Sequence, residues 1–439
     1  MSAPSEKRGV SIPTGRINRM ARLGGLTTSL AGNVAAQGSL QLLSGRRPRL
    51  KDLLLTPSNA ARVADQLARM RGAAMKAGQL LSMETNDILP PELADILARL
   101  RAEAHFMPLA QLKKVLIANW GKDFLGRFKR FDVHPIAAAS IGQVHRAQTR
   151  DGRDVAVKVQ YPGIRQSIDS DMRNLGMILR ASNMVPDGFD LPRLLEDARV
   201  QLHEETDYAR EAEALRRFSR HLEGAEGFIL PQVHEDLSTD DILTMAFIDS
   251  QPIETVAQMD QATRDSVATR ILSLMLRELF ALRDMQTDPN FANYRYQPDA
   301  GRLVLLDFGA TRQFDAHLTG ECRALLRACV QGDRDAAIER LISIGVVGAD
   351  VSDKDRTHLG MLFDMGSEPF RQGGVFDFGR SDLLARLRRA GLVLADEQVA
   401  LRAPPTDALF LQRKVLGCYL LAERLRARVD LDALLAEYL

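Results

Sequence analysis

The chain has 439 residues, of which 45% are hydrophobic and 26% are charged, so it is long enough for roughly two or three domains and too apolar for a disordered protein. Its three cysteines, Cys322, Cys329 and Cys418, have no CxxC spacing, which excludes a disulfide scaffold and a four-ligand zinc site and indicates a reducing compartment. The net charge is +1, but residues 1–50 carry eight Arg or Lys and one acid, which leaves −6 for the rest of the chain. This balance excludes the body of the protein as a nucleic-acid binder.

Residues 1–50 form a basic segment around an uncharged stretch, Leu23–Gly45. Ten of the 23 residues in that stretch are Ala, Val or Leu and the others are Gly, Ser, Thr, Asn or Gln, which disfavours both a transmembrane helix and a signal peptide. Six arginines flank the stretch and suit anionic lipid headgroups: Arg16, Arg19, Arg22, Arg46, Arg47 and Arg49. The segment therefore predicts peripheral attachment to an anionic membrane surface, with a basic leader that touches no membrane as the alternative.

The apolar pattern changes along the rest of the chain. From residue 51 to residue 130 the spacing is helical. From 131 to 250 short β-type runs flank a long helical insert, Ser167–Leu222; the runs are Gly142–Ala147, Asp154–Gln160, Phe228–Val233 and Asp241–Ile248. Residues 251–439 are mostly helical, with one hairpin at Asn293–Phe308. The order predicts an α+β fold.

A strand that ends in a lysine, Asp154–Lys158, follows a loop rich in alanine. That loop reads Ala137-Ala-Ala-Ser-Ile-Gly-Gln-Val144, which is the spacing of the kinase nucleotide loop with Ala137 and Ala139 at the first two glycine positions and Gly142 at the third. We therefore expect the nucleotide to bind at Lys158, which supplies a point charge to the phosphates, and at loop positions that also include Ala138, Ser140 and Val144. Helix filler is the alternative for the alanines.

Two further sites complete a phosphoryl-transfer pattern. Asp288 precedes Asn293 by five residues, and fourteen residues later a buried-type strand leads into Asp307-Phe-Gly309. Mg²⁺ prefers hard oxygen ligands, so Asn293 and Asp307 are the predicted metal ligands and Asp288 is the predicted base or nucleophile-orienting residue. A second Asp-Phe-Gly at 377–379 follows two glycines rather than an apolar strand, and we set it aside. The spacing predicts ATP and Mg²⁺ as cofactors.

These residues resemble the ABC1/ADCK/UbiB atypical kinase-like family, and the chain is most similar to its Coq8 branch. The resemblance runs from about Gly15 to the C-terminus and includes Met285-Gln-Thr-Asp-Pro-Asn and Leu411-Gln-Arg-Lys-Val-Leu-Gly. The motifs that carry it are Lys76-Ala-Gly-Gln79, the alanine-rich loop, Glu205-Thr-Asp207-Tyr-Ala-Arg-Glu211-Ala, Thr287-Asp-Pro-Asn-Phe-Ala-Asn293 and Leu306-Asp-Phe-Gly-Ala-Thr-Arg312. The hinge segment, Met245-Ala-Phe-Ile-Asp-Ser250, departs from the family, which often has Glu and Gly there.

The resemblance implies a bilobal protein-kinase-like fold with a family-specific N-terminal helical extension. Its regions would be a membrane-proximal segment (1–50), the helical extension with the KxGQ motif (51–130), the N-lobe with its helical insert (131–250) and the C-lobe (251–439). Lys76 and Gln79 would lie on a helix over the nucleotide site, with Lys76 near Glu205 and Asp207. Met245 and Phe247 would contact the nucleotide, and Glu205 or Glu211 would pair with Lys158.

The implied function is ATP hydrolysis at a membrane surface in support of ubiquinone biosynthesis. The implied partners are ATP, ADP, anionic lipid, quinone precursors and the biosynthetic enzymes, and a homodimer is left open. The location would be the inner face of a bacterial membrane or the matrix side in mitochondria. Gln286-Thr287 stands where protein kinases place an arginine before the catalytic aspartate, so we expect no peptide substrate.

Alternatives remain for the function and for single motifs. A kinase that phosphorylates a quinone-precursor-like small molecule or lipid, and a nucleotide-binding pseudokinase scaffold, are the two competing functions. The acidic residues around Glu205 and Glu211 also fit a solvated helix face, and Lys76 also fits an exposed helix lysine. We expect His134 and His145 to be structural, without a metal role.

Overall fold

The computed structural model describes residues 72, 76, 106–182, 191–396 and 404–439. Within these ranges the chain divides into two compact units. Unit one contains the described residues up to Glu213 together with Gln232–Phe247, and unit two contains Ala214–Pro231 and Ile248–Leu439. The basic segment 1–50, most of the helical pattern of 51–105, and Gln79 lie outside the described residues.

Helices and strands alternate through the first half of the described chain, and helices dominate the second half. The strands are β1 (Phe128–Phe131), β2 (Ala137–Ala138), β3 (Gly142–Thr149), β4 (Asp154–Gln160), β5 (Phe228–Ile229), β6 (Ile242–Ala246), β7 (Gln251–Pro252), β8 (Asp284–Gln286), β9 (Tyr294–Gln297), β10 (Arg302–Leu305), β11 (Thr311–Gln313), β12 (Val375–Asp377) and β13 (Arg428–Asp430). The helices are α1 (Leu109–Trp120), α2 (Ile164–Ser182), α3 (Leu191–Glu205), α4 (Tyr208–His221), α5 (Gln261–Arg277), α6 (Ala316–Gln331), α7 (Arg334–Ile344), α8 (Asp353–Arg371), α9 (Leu383–Asp396), α10 (Thr406–Arg424) and α11 (Leu431–Leu435). No helix in these ranges is long and apolar enough to cross a membrane.

Unit one is built on an antiparallel sheet in the order β1-β3-β4-β6, with β2 paired to β3. Val155, Val157 and Val159 on one face of β4 are fully buried in a hydrophobic core with α1. Alternation along β4 puts Lys158 on the opposite face. The sheet therefore presents Lys158 from its middle.

The predicted helical extension ended too late in the chain. Residues Phe128–Phe131 form β1, and Phe128 and Phe131 pack their rings on Trp120 of α1, at centroid distances of 5.2 and 6.4 Å. Helix α1 and the sheet thus share one core, so a boundary at residue 130 cuts through a packed strand. The aromatic contacts explain why this segment is extended, because side chains in a strand reach the helix packed on the sheet.

The predicted strands of unit one agree with the structure to different degrees. The prediction of Asp154–Gln160 is confirmed, Gly142–Ala147 continues to Thr149, and Asp241–Ile248 shortens to Ile242–Ala246. The prediction of a single strand at Phe228–Val233 is wrong. The segment divides into two parts, because β5 pairs with β10 in unit two and Val233 forms an isolated bridge with Met245 in unit one. Pro231, which has no N–H to donate to a sheet, stands between the two parts.

Unit two holds a second sheet, β5-β10-β9-β7, and the ribbons β8-β11 and β12-β13. The predicted hairpin is confirmed as β9 and β10, in which Leu303 stands opposite Tyr296. Asp288 follows β8 by two residues and Asp307 follows β10 by two residues. Helix α5 continues into one π-helical turn, Glu278–Leu282, which leads into β8.

Candidate functional site

Lys158 forms a buried ion pair in unit one. Its Nζ donates to Glu211 Oε1 at 2.6 Å, and the two side chains are 11% and 3% exposed. Glu211 lies in the first turn of α4, and the ring of Tyr208 from the same turn lies 5.6 Å from Lys158 Nζ. The structure thus selects Glu211 from the two glutamates that the sequence left open. A buried ammonium needs such a partner, since an uncompensated charge in the interior is costly.

Glu205, at the end of α3, joins two other predicted site residues. Its Oε1 accepts from Lys76 Nζ, and its Oε2 accepts from Ser140 Oγ at 2.6 Å. The Lys76 side chain is only 1% exposed. The alternatives of an exposed Lys76 and of a solvated acidic face at Glu205 and Glu211 are therefore wrong.

The helix that carries Lys76 also contacts the alanine loop, here defined as residues 137–141. Gly72 and Lys76 both have helical backbone. A Cβ on Gly72 would lie 3.2 Å from the Ser140 carbonyl oxygen. Backbone contact at Gly72 and the Lys76–Glu205–Ser140 chain therefore hold the loop against this helix.

Asp207 occupies a different position from Glu205. It is exposed, and its Oδ1 accepts from the backbone N–H of Arg210 at 3.0 Å. A carboxylate in this position caps the N-terminus of α4. Asp207 therefore stabilises the helix that carries Glu211.

The alanine loop is extended, so helix filler is the wrong interpretation of its alanines. Ala137 and Ala138 pair with Val144 and Gln143 as β2 and β3, and the Ala139 N–H donates to the Gly142 carbonyl at 2.9 Å. A Cβ on Gly142 would lie 2.3 Å from the Val159 carbonyl oxygen. The contact between β3 and β4 therefore requires glycine at position 142.

The predicted hinge residues lie at the end of β6. Met245 is buried and pairs with Ala156 of β4. The Phe247 N–H donates to the Asp154 carbonyl at 2.9 Å, and the Arg146 guanidinium lies 4.1 Å from the centroid of the Phe247 ring.

His145 has the structural environment that we expected. It is fully buried, its Nδ1 donates to the Asp132 carbonyl at 2.8 Å, and its Nε2 lies 2.8 Å from the Gln143 side-chain amide nitrogen. In the neutral ring that Nε2 accepts from Gln143. Burial lowers the pKa of His145 below its ordinary value of 6.5.

Unit two brings Asp288 and Asn293 together. A 3-10 turn, Phe291–Asn293, folds the segment back, and Asn293 Nδ2 donates to Asp288 Oδ2 at 3.2 Å and to the Asp288 carbonyl at 3.3 Å. The Asn293 carbonyl accepts from the Leu306 N–H at 3.1 Å. This last bond ties the Asp288–Asn293 segment to the residues that lead into Asp307.

Asp307 closes a tight turn in which its Oδ1 accepts from the Gly309 N–H at 3.0 Å. Phe308 anchors the turn, because its ring packs on Phe218 at a centroid distance of 4.8 Å. Thr287 donates from its N–H and its Oγ1 to the Ala310 carbonyl, both at 2.8 Å. The two predicted metal-binding segments of unit two are therefore joined on both sides of Asp288.

The donor set suits Mg²⁺. Asn293 and Asp307 offer amide and carboxylate oxygen, and the described ranges contain no cluster of three or more His, Cys, Asp or Glu that could hold a metal ion by itself. Mg²⁺ is usually bound by one or two carboxylates together with substrate phosphates and water. By contrast, Asp377 of the second Asp-Phe-Gly lies 3.3 Å from Arg428 Nε, so arginine already neutralises that carboxylate.

Sequence reasoning assigned no role to a buried lysine near Asp288. Lys414 of α10 is 1% exposed, and its Nζ donates to the Gln286 carbonyl at 2.6 Å. The sequence does contain one signal for this residue, the rarity of lysine, because only ten of the 58 basic residues are lysine.

The chain is similar to known proteins over most of its length. The family model of the ABC1 atypical kinase-like domain matches residues 99–341. Atypical kinase COQ8, mitochondrial, from Saccharomyces cerevisiae is 38% identical over 97% of this chain and 85% of its own length. Atypical kinase COQ8B, mitochondrial, from Rattus norvegicus is 36% identical over 95% of this chain and 79% of its own. The solved structure of the Rv3197–erythromycin complex from Mycobacterium tuberculosis is similar with a TM-score of 0.60 and 25% identity, over 87% of this chain and 96% of that one.

Proposed function

Because the chain belongs to the ABC1 atypical kinase-like family and is an ATP-dependent enzyme of the phosphotransferase class, we propose that it turns over MgATP at a membrane surface in support of ubiquinone biosynthesis. The observation that carries the proposal is the buried Lys158–Glu211 pair. It holds a single ammonium group on the central strand of a five-stranded sheet. An ammonium fixed in this way is the cation that a kinase places on the α- and β-phosphates.

Each predicted site residue has a part in the proposal. Lys158 binds the phosphates, the main chain of the alanine loop covers them, and Met245 and Phe247 contact the nucleotide. Asn293 and Asp307 hold Mg²⁺, which neutralises charge on the β- and γ-phosphates when it is bound. Asp288 orients the attacking nucleophile or accepts its proton, and the Asn293 amide supports this by fixing one Asp288 oxygen.

The Lys76–Glu205–Ser140 contacts support turnover without a peptide acceptor. They bind the alanine loop to the helix of Lys76, so the loop that would cover the phosphates is itself covered. We propose that Lys76 and Glu205 restrain this loop and leave water or a small acceptor as the nucleophile. The site would then serve ATP hydrolysis or a small quinone-precursor-like molecule.

Membrane contact is assigned to residues 1–50. Quinone precursors with polyprenyl tails stay in the bilayer, so an enzyme that serves them works at its surface. Six flanking arginines each contribute on the order of 1 kcal/mol near an anionic surface. The location would be the inner face of a bacterial membrane or the matrix side of the inner mitochondrial membrane, and the yeast and rat relatives are named mitochondrial.

The test is ATP turnover by the purified full chain, measured alone, with anionic liposomes, and with a quinone-precursor mimic. We expect phosphate release that requires Mg²⁺, rises with anionic liposomes and disappears in Asp288→Asn. Transfer of phosphate to the mimic would instead support a small-molecule kinase. Nucleotide binding without any turnover would support the pseudokinase scaffold.

Flotation with liposomes tests the membrane part separately. The full chain should float with anionic vesicles at low salt, and a variant with the six flanking arginines replaced by glutamine should not. Equal flotation of both chains would assign the membrane contact to another part of the protein.

A further inference from the structure

A buried polar cluster in unit two surrounds the residue that precedes Thr287-Asp288. Lys414 Nζ donates to the Gln286 carbonyl at 2.6 Å, to Gln286 Oε1 at 3.2 Å and to the Tyr294 hydroxyl at 2.9 Å. It also lies 3.2 Å from Glu278 Oε2, and the two side chains of this ion pair are 2% and 1% exposed. Gln286 and Tyr294 flank the predicted catalytic segment on both sides.

The cluster contains the Lys414 ammonium, a charged group that burial by itself disfavours. Burial raises the pKa of Glu278 to about 7. Burial also opposes the charge of Lys414, but the attraction of Glu278 and Tyr294 outweighs it and raises the pKa of Lys414. The Gln286 carbonyl is thus held by a charged donor that is itself paired with Glu278.

Lysine suits this position better than arginine does. Three oxygens accept hydrogen bonds from Lys414 Nζ, namely the Gln286 carbonyl, Gln286 Oε1 and the Tyr294 hydroxyl, and Glu278 Oε2 lies 3.2 Å away as the ion-pair partner. A compact ammonium with three donors fits that geometry, whereas a planar guanidinium needs more space and a fork of acceptors. The use of lysine in a chain with 58 basic residues, mostly arginine, is therefore explained by the shape of the cluster.

A second contact from α10 lies on the other side of Asp288. Gly417 is three residues after Lys414, and a Cβ on it would lie 2.1 Å from Pro289 Cβ. Helix α10 therefore touches the chain at Gln286 and at Pro289, the residues two before and one after Asp288. These contacts are independent, because one is a charged hydrogen bond and the other is close packing.

We propose that α10 positions Asp288 for MgATP turnover, with Lys414 and Gly417 as the positioning residues and Glu278 as the partner of Lys414. The inference rests on the proposed function, in which Asp288 acts on the attacking nucleophile. Fixing the Gln286 carbonyl and the Pro289 ring fixes the backbone that carries the Asp288 carboxylate. Because small displacements of a reacting group reduce rates strongly, loss of either contact lowers the rate more than the affinity.

The experiment compares Lys414→Met, Gly417→Ala and Ile338→Ala in the full chain, well below their melting temperatures. Ile338 is buried in a separate cluster with Val347 and Leu359 and is the control for general destabilisation. For both α10 variants we expect kcat to fall roughly 10- to 100-fold, with KM for MgATP changed less than about threefold. Hydrogen exchange should rise in the peptide that spans 286–294, and Ile338→Ala should keep both kcat and that protection.

The outcomes separate this inference from the proposed function. Wild-type kcat and wild-type exchange in Lys414→Met would overturn the positioning role alone, as would an equal loss of kcat in Ile338→Ala. If Lys414→Met does not fold, Gly417→Ala is the test of the positioning role, because this variant keeps the Lys414–Glu278 ion pair. A wild-type kcat in Gly417→Ala would then overturn the inference. A wild-type chain without Asp288-dependent turnover would overturn the proposed function, and this inference with it.

Discussion

Replacing Lys158 by methionine removes the cation of the buried pair and, in the proposed function, the ligand of the phosphates. The two effects are separable because they act on different states. Without a nucleotide, the substitution removes the Lys158 ammonium from Glu211, whose side chain is 3% exposed. Breaking a buried pair by removing one partner costs about 3–5 kcal/mol, so the melting temperature should fall by roughly 6–20 °C.

A second substitution, Glu211→Gln, also removes the negative charge of the pair. The double variant, Lys158→Met with Glu211→Gln, should regain most of the lost stability because neither buried charge of the pair remains. It should not regain nucleotide binding. Saturating MgATP should add about 2.7 kcal/mol to the wild type at a hundredfold excess over Kd and nothing measurable to either variant.

The assay is a thermal-shift titration with MgATP, with exposed Lys129→Met as the matched control on the same sheet. The control should keep both the melting temperature and the MgATP shift. A wild-type MgATP shift in the double variant would refute Lys158 as the phosphate ligand. An unchanged melting temperature in Lys158→Met would refute the energetic argument about the pair.

Four other substitutions test separate parts of the reasoning. Asp307→Asn should lose the MgATP-dependent thermal shift because it removes a metal ligand, and a retained shift would contradict that role. Ala139→Gly should change the ratio of ATP to ADP affinity in calorimetry, because glycine frees the loop backbone, and unchanged affinities would show that the loop does not cover phosphates. Gly142→Ala should cost about 1–3 kcal/mol in urea denaturation, because its Cβ would meet the Val159 carbonyl at 2.3 Å. His145→Gln should flatten the pH dependence of stability below pH 6.5, because burial lowers the folded pKa of His145, so the unfolded chain binds more protons and stability is lost as the pH falls; an unchanged pH dependence in this variant would contradict that assignment.

Local pattern was sufficient to predict the strand that carries Lys158 and an α+β fold, whereas the kinase-like form of that fold was implied by the family resemblance. In β4 the valines alternate with other residues, and this period of two matches a strand with one face in the core. The Asp288-to-Asn293 spacing identified two residues that a single 3-10 turn brings into contact. Short-range geometry therefore accounts for these predictions.

Long-range partners could not be read from pattern. Glu211 is 53 residues from Lys158 and Glu205 is 129 residues from Lys76, so packing of α3 and α4 on the sheet decides which glutamate meets which lysine. The sequence also did not show why position 142 must be glycine, because the Val159 carbonyl that leaves no space for a Cβ belongs to the neighbouring strand. A contact between two separate helices or strands leaves no periodic pattern in the sequence from which it could be predicted.

Lysine scarcity could have identified the Lys414 cluster. Among the described residues three lysines are buried, Lys76, Lys158 and Lys414, and the other five are exposed. In a chain that otherwise uses arginine, a lysine between apolar residues, as in Leu411-Gln-Arg-Lys-Val-Leu, indicates a site that needs a compact cation. Its hydrogen-bond acceptors, Gln286 and Tyr294, lie 128 and 120 residues away, so the sequence alone could not identify them.

The two oxygens of Glu205 make the alanine loop and the Lys76 helix thermodynamically linked. One carboxylate binds both elements, so a displacement of either one strains or breaks a bond to the other. A nucleotide that shifts the loop and a ligand that shifts the helix must then change each other's affinity by the same factor, because binding free energies are reciprocal. One side chain thereby couples the position of the alanine loop to the position of Lys76.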